Sequence, residues 1–158
     1  MALDIFTTTE LTREEAGFSA NANVTDPVIE QYVKAANGEV ATGIAANYTV
    51  PLSANANFAG SATEDYLEQL ATTLAAGLLL LKQYEGSGGD MVDLALAKIE
   101  SARGQLKEIQ KGTRALVGTD GVKLQQSASN SSSNTGPISG FPDNTDDSGH
   151  QFGMDDVY

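Results

Sequence analysis

The chain has 158 residues, no cysteine, no tryptophan, one histidine and a formal net charge of −12. Those counts exclude disulfides and thiolate metal sites, confine imidazole chemistry to His150, and disfavour capture of nucleic-acid phosphates by bulk charge. All nine basic residues lie at or before Lys123, whereas five of the 21 acids (Asp143, Asp146, Asp147, Asp155, Asp156) lie after Gln125, so the body carries −7 and the tail −5.

The first helical signal is "TTTELTREEA". Thr7, Thr8 or Thr9 can cap it, acids follow in the early turns, and Gly17 ends it. The same opening stretch has neither the basic flank nor the long apolar run of a secretory leader, so a cytosolic origin is expected and the sequons at Asn23, Asn47 and Asn130 carry no weight.

The second element is "TDPVIEQYVKAANGEVATGIAANYTVPL". Asp26 is the expected N-cap, with Pro27 at the first helical position, where its missing N–H costs nothing. Ile29, Tyr32, Val33, Ala36, Val40, Ile44 and Tyr48 recur at helical spacing and form one apolar stripe. Gly38 and Gly43 interrupt it, each at a cost of about 1 kcal/mol relative to alanine. Either they break the helix at Asn37-Gly38 or they let another backbone come close. The uninterrupted stripe favours one helix to about Asn47, after which Pro51 enforces an extended segment.

The third helix opens on a capping box, Ser61 with Glu64. Leu67, Leu70, Ala71, Leu74, Leu78 and Leu81 make its inner stripe, and its second half is apolar nearly all round, which predicts the central helix. The run "LAAGLLLL" is far shorter than the roughly 20 residues needed to span a bilayer.

"EGSGGD" is a turn without the lysine or preceding strand of a phosphate loop. Asp90 is the expected cap of the fourth helix, "MVDLALAKIESARGQLKEIQKGTRAL", which buries Val92, Ala95, Ile99, Ala102, Leu106 and Ile109. Arg103, Lys107, Lys111 and Arg114 form a second, basic stripe. It reads either as a solvated face complementing the helix dipole or as a docking strip for acid, whether DNA phosphate or the Asp-rich tail of a neighbouring copy. Gly112 and Gly118 mark the end. Extended pieces are expected only at residues 49–52 and 122–124. The repeated "SANAN" at residues 19–23 and 53–57 precedes helices of different apolar spacing and reads as two convergent loops.

Acid pairs occur at Glu14/Glu15, Glu64/Asp65 and Asp155/Asp156. Sequence neighbours on a helix diverge by about 100°, so these are solvated surface rather than acid–base machinery. In "NTDDSGHQFGMD", Asn144, Asp146, Ser148, Gly149 and Asp155 imitate a calcium loop, but Asn144 opens it, Gln151 replaces the aliphatic residue and no helix flanks it. No metal or other cofactor is expected. Residues 125–158 form a low-complexity linker and arm after a helical domain at residues 1–124. The arm reads either as solubilising disorder or as a docking arm with interface-type anchors: Phe141, Phe152, Met154, Val157 and Tyr158.

The order of elements resembles the small all-helical head–tail adaptor proteins of tailed bacteriophages, also called head-completion or connector proteins. The likeness covers residues 25–118. Its most telling pieces are the long helix running into Tyr48-x-x-Pro51-Leu52 and the last helix ending in Gln110-Lys111-Gly112. The Asn/Ala-rich loop at residues 53–59 departs from the tighter proline-containing loop of that pattern, and the chain after Val122 falls outside it. The resemblance implies an all-α bundle of about four helices with a long extended C-terminal arm. It implies a non-enzymatic homo-oligomeric ring, a dodecamer under the portal protein. Such a ring extends the channel through which genomic DNA passes without sequence recognition, and presents a surface to the next neck, stopper or tail protein. The implied location is the virion neck, reached from the host cytoplasm during assembly, with no membrane. The rival expectation is a cytosolic helical interaction module binding one partner through its acidic-aromatic tail.

Overall fold

The computed structural model describes residues 4–19, 23–87 and 89–127. Four α-helices follow in order among them: α1 (Thr9–Glu15), α2 (Asp26–Ala45), α3 (Ala62–Tyr84) and α4 (Asp90–Gln110), with a 3-10 turn at Leu52–Ala54. The architecture is all-α, as the periodicity predicts. Its β-type pairings, among the described residues, are two isolated antiparallel bridges, Tyr48 with Gln126 and Val117 with Lys123. Tyr48 flanks one of the two stretches expected to be extended and Lys123 lies in the other, whereas Val117 lies outside both.

Helix ends follow local chemistry. Thr8 caps α1 by accepting the Leu11 N–H. Gly17 then takes φ +75°, and the N–H groups of Gly17 and Phe18 return to the carbonyls of Glu14 and Arg13. Gly112 ends α4 in the same way, at φ +72°, with Gly112 and Thr113 donating to Ile109 and Glu108. Ser61 caps α3 by accepting the Glu64 N–H. The Glu64 carboxylate reaches back one residue further than the standard box, to the Gly60 N–H at 2.6 Å.

Two expected caps are corrected. Thr25, not Asp26, sits at the N-cap of α2; Asp26 is the first helical residue, and its carboxylate meets Arg13 at 2.5 Å, tying α2 to α1. Gly89 occupies the N-cap of α4. Asp90 lies in the first turn beside Asp93, where negative charge still suits the dipole.

α3 is the central helix and packs against α1, α2 and α4. Its two halves serve two parts of the core. Near its start, Leu67, Leu70 and Leu74 meet Phe6, Val40, Ile44, Tyr48, Leu52, Ile99, Leu106, Leu116 and Leu124. Near its end, Ala76, Leu79 and Leu80 meet Phe18, Val24, Ile29, Val33 and Ala95. Phe18 also stacks on Tyr84, with centroids 6.5 Å apart. Of the predicted inner stripe, Leu78 and Leu81 are only partly buried.

α2 runs unbroken through both its glycines. A Cβ at Gly38 would meet nothing within 4 Å, whereas one at Gly43 would stand 2.6–2.8 Å from Leu106 side-chain atoms. What comes close there is a side chain of α4, not the backbone expected, because Leu106 fills the space. α3 and α4 approach closely at Gly77, where a Cβ would stand 2.9 Å from Ile99 Cγ1 and 3.1 Å from the Ala95 carbonyl oxygen.

The non-helical segments are held by buried and part-buried polar side chains. Asn37, in the middle of α2, accepts from the Phe6 and Thr7 N–H groups and donates to the Thr7 carbonyl, so it acts as a strand partner for the N-terminal segment. Buried Asp4 accepts from the Leu52 and Ser53 N–H groups and the Ser53 hydroxyl, satisfying the start of the 3-10 turn. Thr7 and Thr72 share a buried hydroxyl contact of 2.7 Å.

Candidate interaction surface

α2 and α4 run in the same direction. Glu39 meets Arg103, Gly43 meets Leu106, and Asn47 meets Ile109 and Gln110, a nearly constant offset along the chain. Two helices packed in that way leave an open groove between them, of about 380 Å³, lined by Gly38, Glu39, Thr42, Gly43, Arg103, Leu106, Lys107 and Gln110. Its floor exists because Gly43 has no side chain and Leu106 fills the space. Gly38, facing open space, leaves one wall bare.

One end of the groove is closed by charge. Arg103 binds Glu39 with a two-pronged contact, Nε to one carboxylate oxygen at 2.7 Å and Nη2 to the other at 3.0 Å. The opposite end is closed by Asn47, whose Nδ2 donates to the carbonyls of Ile109 at 2.7 Å and Gln110 at 2.6 Å. Those carbonyls belong to the last turn of α4, where the helical ladder runs out; Ile109 accepts the Gly112 N–H as well. The Asn47 sequon is therefore occupied by a structural task.

The same corner receives the end of the described chain. Ser127 donates its N–H to the Asn47 carbonyl at 3.0 Å, and Thr49 donates to Gln125. Tyr48 is buried, and its hydroxyl accepts the Leu116 N–H at 2.9 Å. Thr63 donates its hydroxyl proton to the Val117 carbonyl and accepts the Val117 N–H. Residues 113–127 thus knit the ends of α2 and α4 to the start of α3.

The four-cation stripe is not one surface. α4 stops at Gln110 because Gly112 adopts a left-handed backbone, so Lys111 sits at the C-cap and Arg114 lies beyond the helix. Arg114 turns away, to Glu108 at 3.1 Å and over the Tyr66 ring at 4.8 Å. Arg103 is held by Glu39, and Lys107 stands on the groove. Six of the nine basic side chains are ion-paired. Lys107, Lys111 and Lys123 have no ion-pair partner among the described residues.

The tail anchors Phe141, Phe152, Met154, Val157 and Tyr158, together with His150 and the calcium-like stretch, lie outside the described residues. The acid pairs within them stand apart: Glu15 binds Lys98 while Glu14 is solvent-exposed, and Glu64 serves Gly60 while Asp65 is exposed. Among the described residues no group of three or more His, Cys, Asp or Glu is placed to hold a metal, and no helix is long and apolar enough to cross a membrane.

A second depression, of about 340 Å³, lies between the N-terminal segment and α3, where Ile5, Phe58, Glu64 and Glu68 meet. Ile5 is 78% exposed there. Sequence reading misses both concavities, although the pair Gly38 and Gly43 is the trace that the first leaves in the sequence. No protein-family model matches the chain, and comparisons with curated proteins and with solved structures give no match.

Proposed function

We propose that this protein is a structural adaptor of a virion neck. On this reading identical copies form a ring, a dodecamer, between the capsid portal and the next neck or tail protein, and DNA passes through its channel. It performs no catalysis. The observation that carries the reading is the meeting of the two stretches that bear the family resemblance. Asn47 and Tyr48, where α2 runs into the Tyr-x-x-Pro-Leu segment, hold Gln110, the first residue of Gln-Lys-Gly, and Leu116, four residues past its glycine. A single hydrogen-bonded corner therefore accounts for two patterns that lie more than sixty residues apart.

The charge balance supports the same reading. A body of net −7 whose cations are mostly engaged by carboxylates offers DNA a wall that does not retain it.

The test is to mix the purified full chain with a portal ring and examine the product by mass photometry and electron microscopy. A discrete larger particle carrying ring symmetry is expected, and deletion of residues 149–158 weakens its formation while leaving the helical circular dichroism spectrum intact. A complex of one chain with one partner, without ring symmetry, would replace the adaptor reading with that of a helical interaction module working through its tail.

A further inference from the structure

We infer that the groove between α2 and α4 is the docking site for residues 152–158 of the same chain. The inference concerns what the arm binds before any partner is met, and it stands or falls independently of the virion-neck reading.

Three observations converge on that occupant. The first is where the described chain ends. Ser127 is bonded to Asn47, and Asn47 to the carbonyl of Gln110, which lines the groove. The chain therefore leaves the body at the groove's own end. The groove runs from there to Arg103, seven residues along α4, or about 10 Å at 1.5 Å per residue. Thirty-one residues follow Ser127, with a contour of up to about 100 Å, so every point of the groove is within reach.

The second is charge. Lys107 on the groove and Lys111 one turn beyond are two of the three cations left without a carboxylate partner among the described residues. The arm carries no basic residue after Lys123 and places Asp155 and Asp156 near its end. Glu39, the one acid lining the groove, is already neutralised by Arg103.

The third is shape. Gly38 leaves an unfilled wall above the Leu106 floor. The arm supplies Phe152, Met154, Val157 and Tyr158 on either side of its acids. A groove of about 380 Å³ is at the small end of ligand-sized pockets, which limits it to one or two anchoring side chains. With Asp155 and Asp156 over Lys107 and Lys111, Phe152 or Met154 falls towards Leu106 and Gly38.

The chain has no cysteine, so a single label is simple to place. In full-length Gly149→Cys carrying a nitroxide, ¹⁵N-detected paramagnetic broadening is expected at the amides of Gly38, Gly43, Lys107 and Gln110, and it is independent of dilution. Lys107→Glu with Lys111→Glu reduces that broadening roughly fivefold, the loss expected for two exposed ion pairs. Adding Asp155→Lys and Asp156→Lys to that variant restores it. Both lysines are exposed and have no ion-pair partner among the described residues, so the dispersed spectrum of the fold is retained in each variant. A mixture of labelled ¹⁴N chain and unlabelled ¹⁵N chain separates the sources. Equal broadening in the mixture places the arm on a second copy and overturns the inference. Broadening centred on Lys123 or on the Ile5 depression, or none at all, also overturns it.

Discussion

Two glycines in the helical hairpin of α3 and α4 respond in opposite directions to the same substitution. At Gly104 an added Cβ meets nothing within 4 Å. Gly104→Ala then gains the helix-propensity difference alone, about 1 kcal/mol. At Gly77 the same Cβ stands 2.9 Å from Ile99 Cγ1, 3.1 Å from the Ala95 carbonyl oxygen and 3.2 Å from the Ile99 nitrogen. The side-chain atom can rotate, but the two backbone atoms move only if α4 shifts away from α3. Overpacking of that kind costs about 1–3 kcal/mol, from which the propensity gain of about 1 kcal/mol is subtracted. The net expectation is a loss of roughly 1 kcal/mol, and a separation of about 2 kcal/mol between the two variants. Thermal unfolding followed by far-ultraviolet circular dichroism would place their midpoints about 8 °C apart, at about 4 °C per kcal/mol for a body of this size. Urea titration should give the same order with an unchanged slope. If Gly77→Ala proves as stabilising as Gly104→Ala, α3 and α4 do not approach at the distance described.

Three further expectations follow from polar side chains at the joints of the fold. Asn37→Ala leaves the Phe6 and Thr7 N–H groups and the Thr7 carbonyl unpaired, at a cost of about 2 kcal/mol, and hydrogen exchange should quicken at Phe6 and Thr7 before it quickens elsewhere. Asn47→Ala removes the side-chain amide that serves the Ile109 and Gln110 carbonyls, leaving Ile109 with the Gly112 N–H; the cost is about 1–2 kcal/mol, with amide exchange accelerated in the last turn of α4 and at Ser127. Burial raises the Tyr66 phenol above its usual value near 10, with Glu108 adding to the shift and Arg114 opposing it. Its neutral form is therefore the one the fold prefers, and that stability is present below pH 10 and lost as pH rises through the raised value. Tyr66→Phe deletes a hydroxyl that meets no well-formed hydrogen-bond partner among the described residues; it should leave neutral-pH stability unchanged or slightly raised and flatten the alkaline loss, read by urea midpoints between pH 8 and 11.

The helices were legible because each announces its buried face within its own length. The stripe from Ile29 to Tyr48 and the steps from Ala95 to Ile109 need no knowledge of what they pack against. Ends were less legible. Asp26 looks like a cap by type, yet its carboxylate is engaged by Arg13, a residue that local sequence does not place beside it. Asp4 and Asn37 gave no signal, since their bonds span 30 to 49 positions and only the tertiary fold brings donor to acceptor. The basic stripe failed for a nearer reason. Gly112 was recognisable as a stop, but continuing the helical spacing through it placed Arg114 on a face that no longer existed. The groove needed two helices at once: Gly38 and Gly43 are visible in α2, but only Leu106 distinguishes the filled one from the open one.

The corner at Asn47 also decides how the body bears tension. A chain leaving directly from Gln110 would transmit a pull along the axis of α4 and peel that helix a turn at a time. Here the strand to the arm is first fastened across Thr49 and Asn47, while the Asn47 side chain grips the far end of α4. Force drawn through the arm is divided among α2, α4 and the lead into α3 before any helical turn is loaded alone. The attachment works as a strain relief, and its first parts to yield under load should be the Ser127 and Thr49 hydrogen bonds, not the helices.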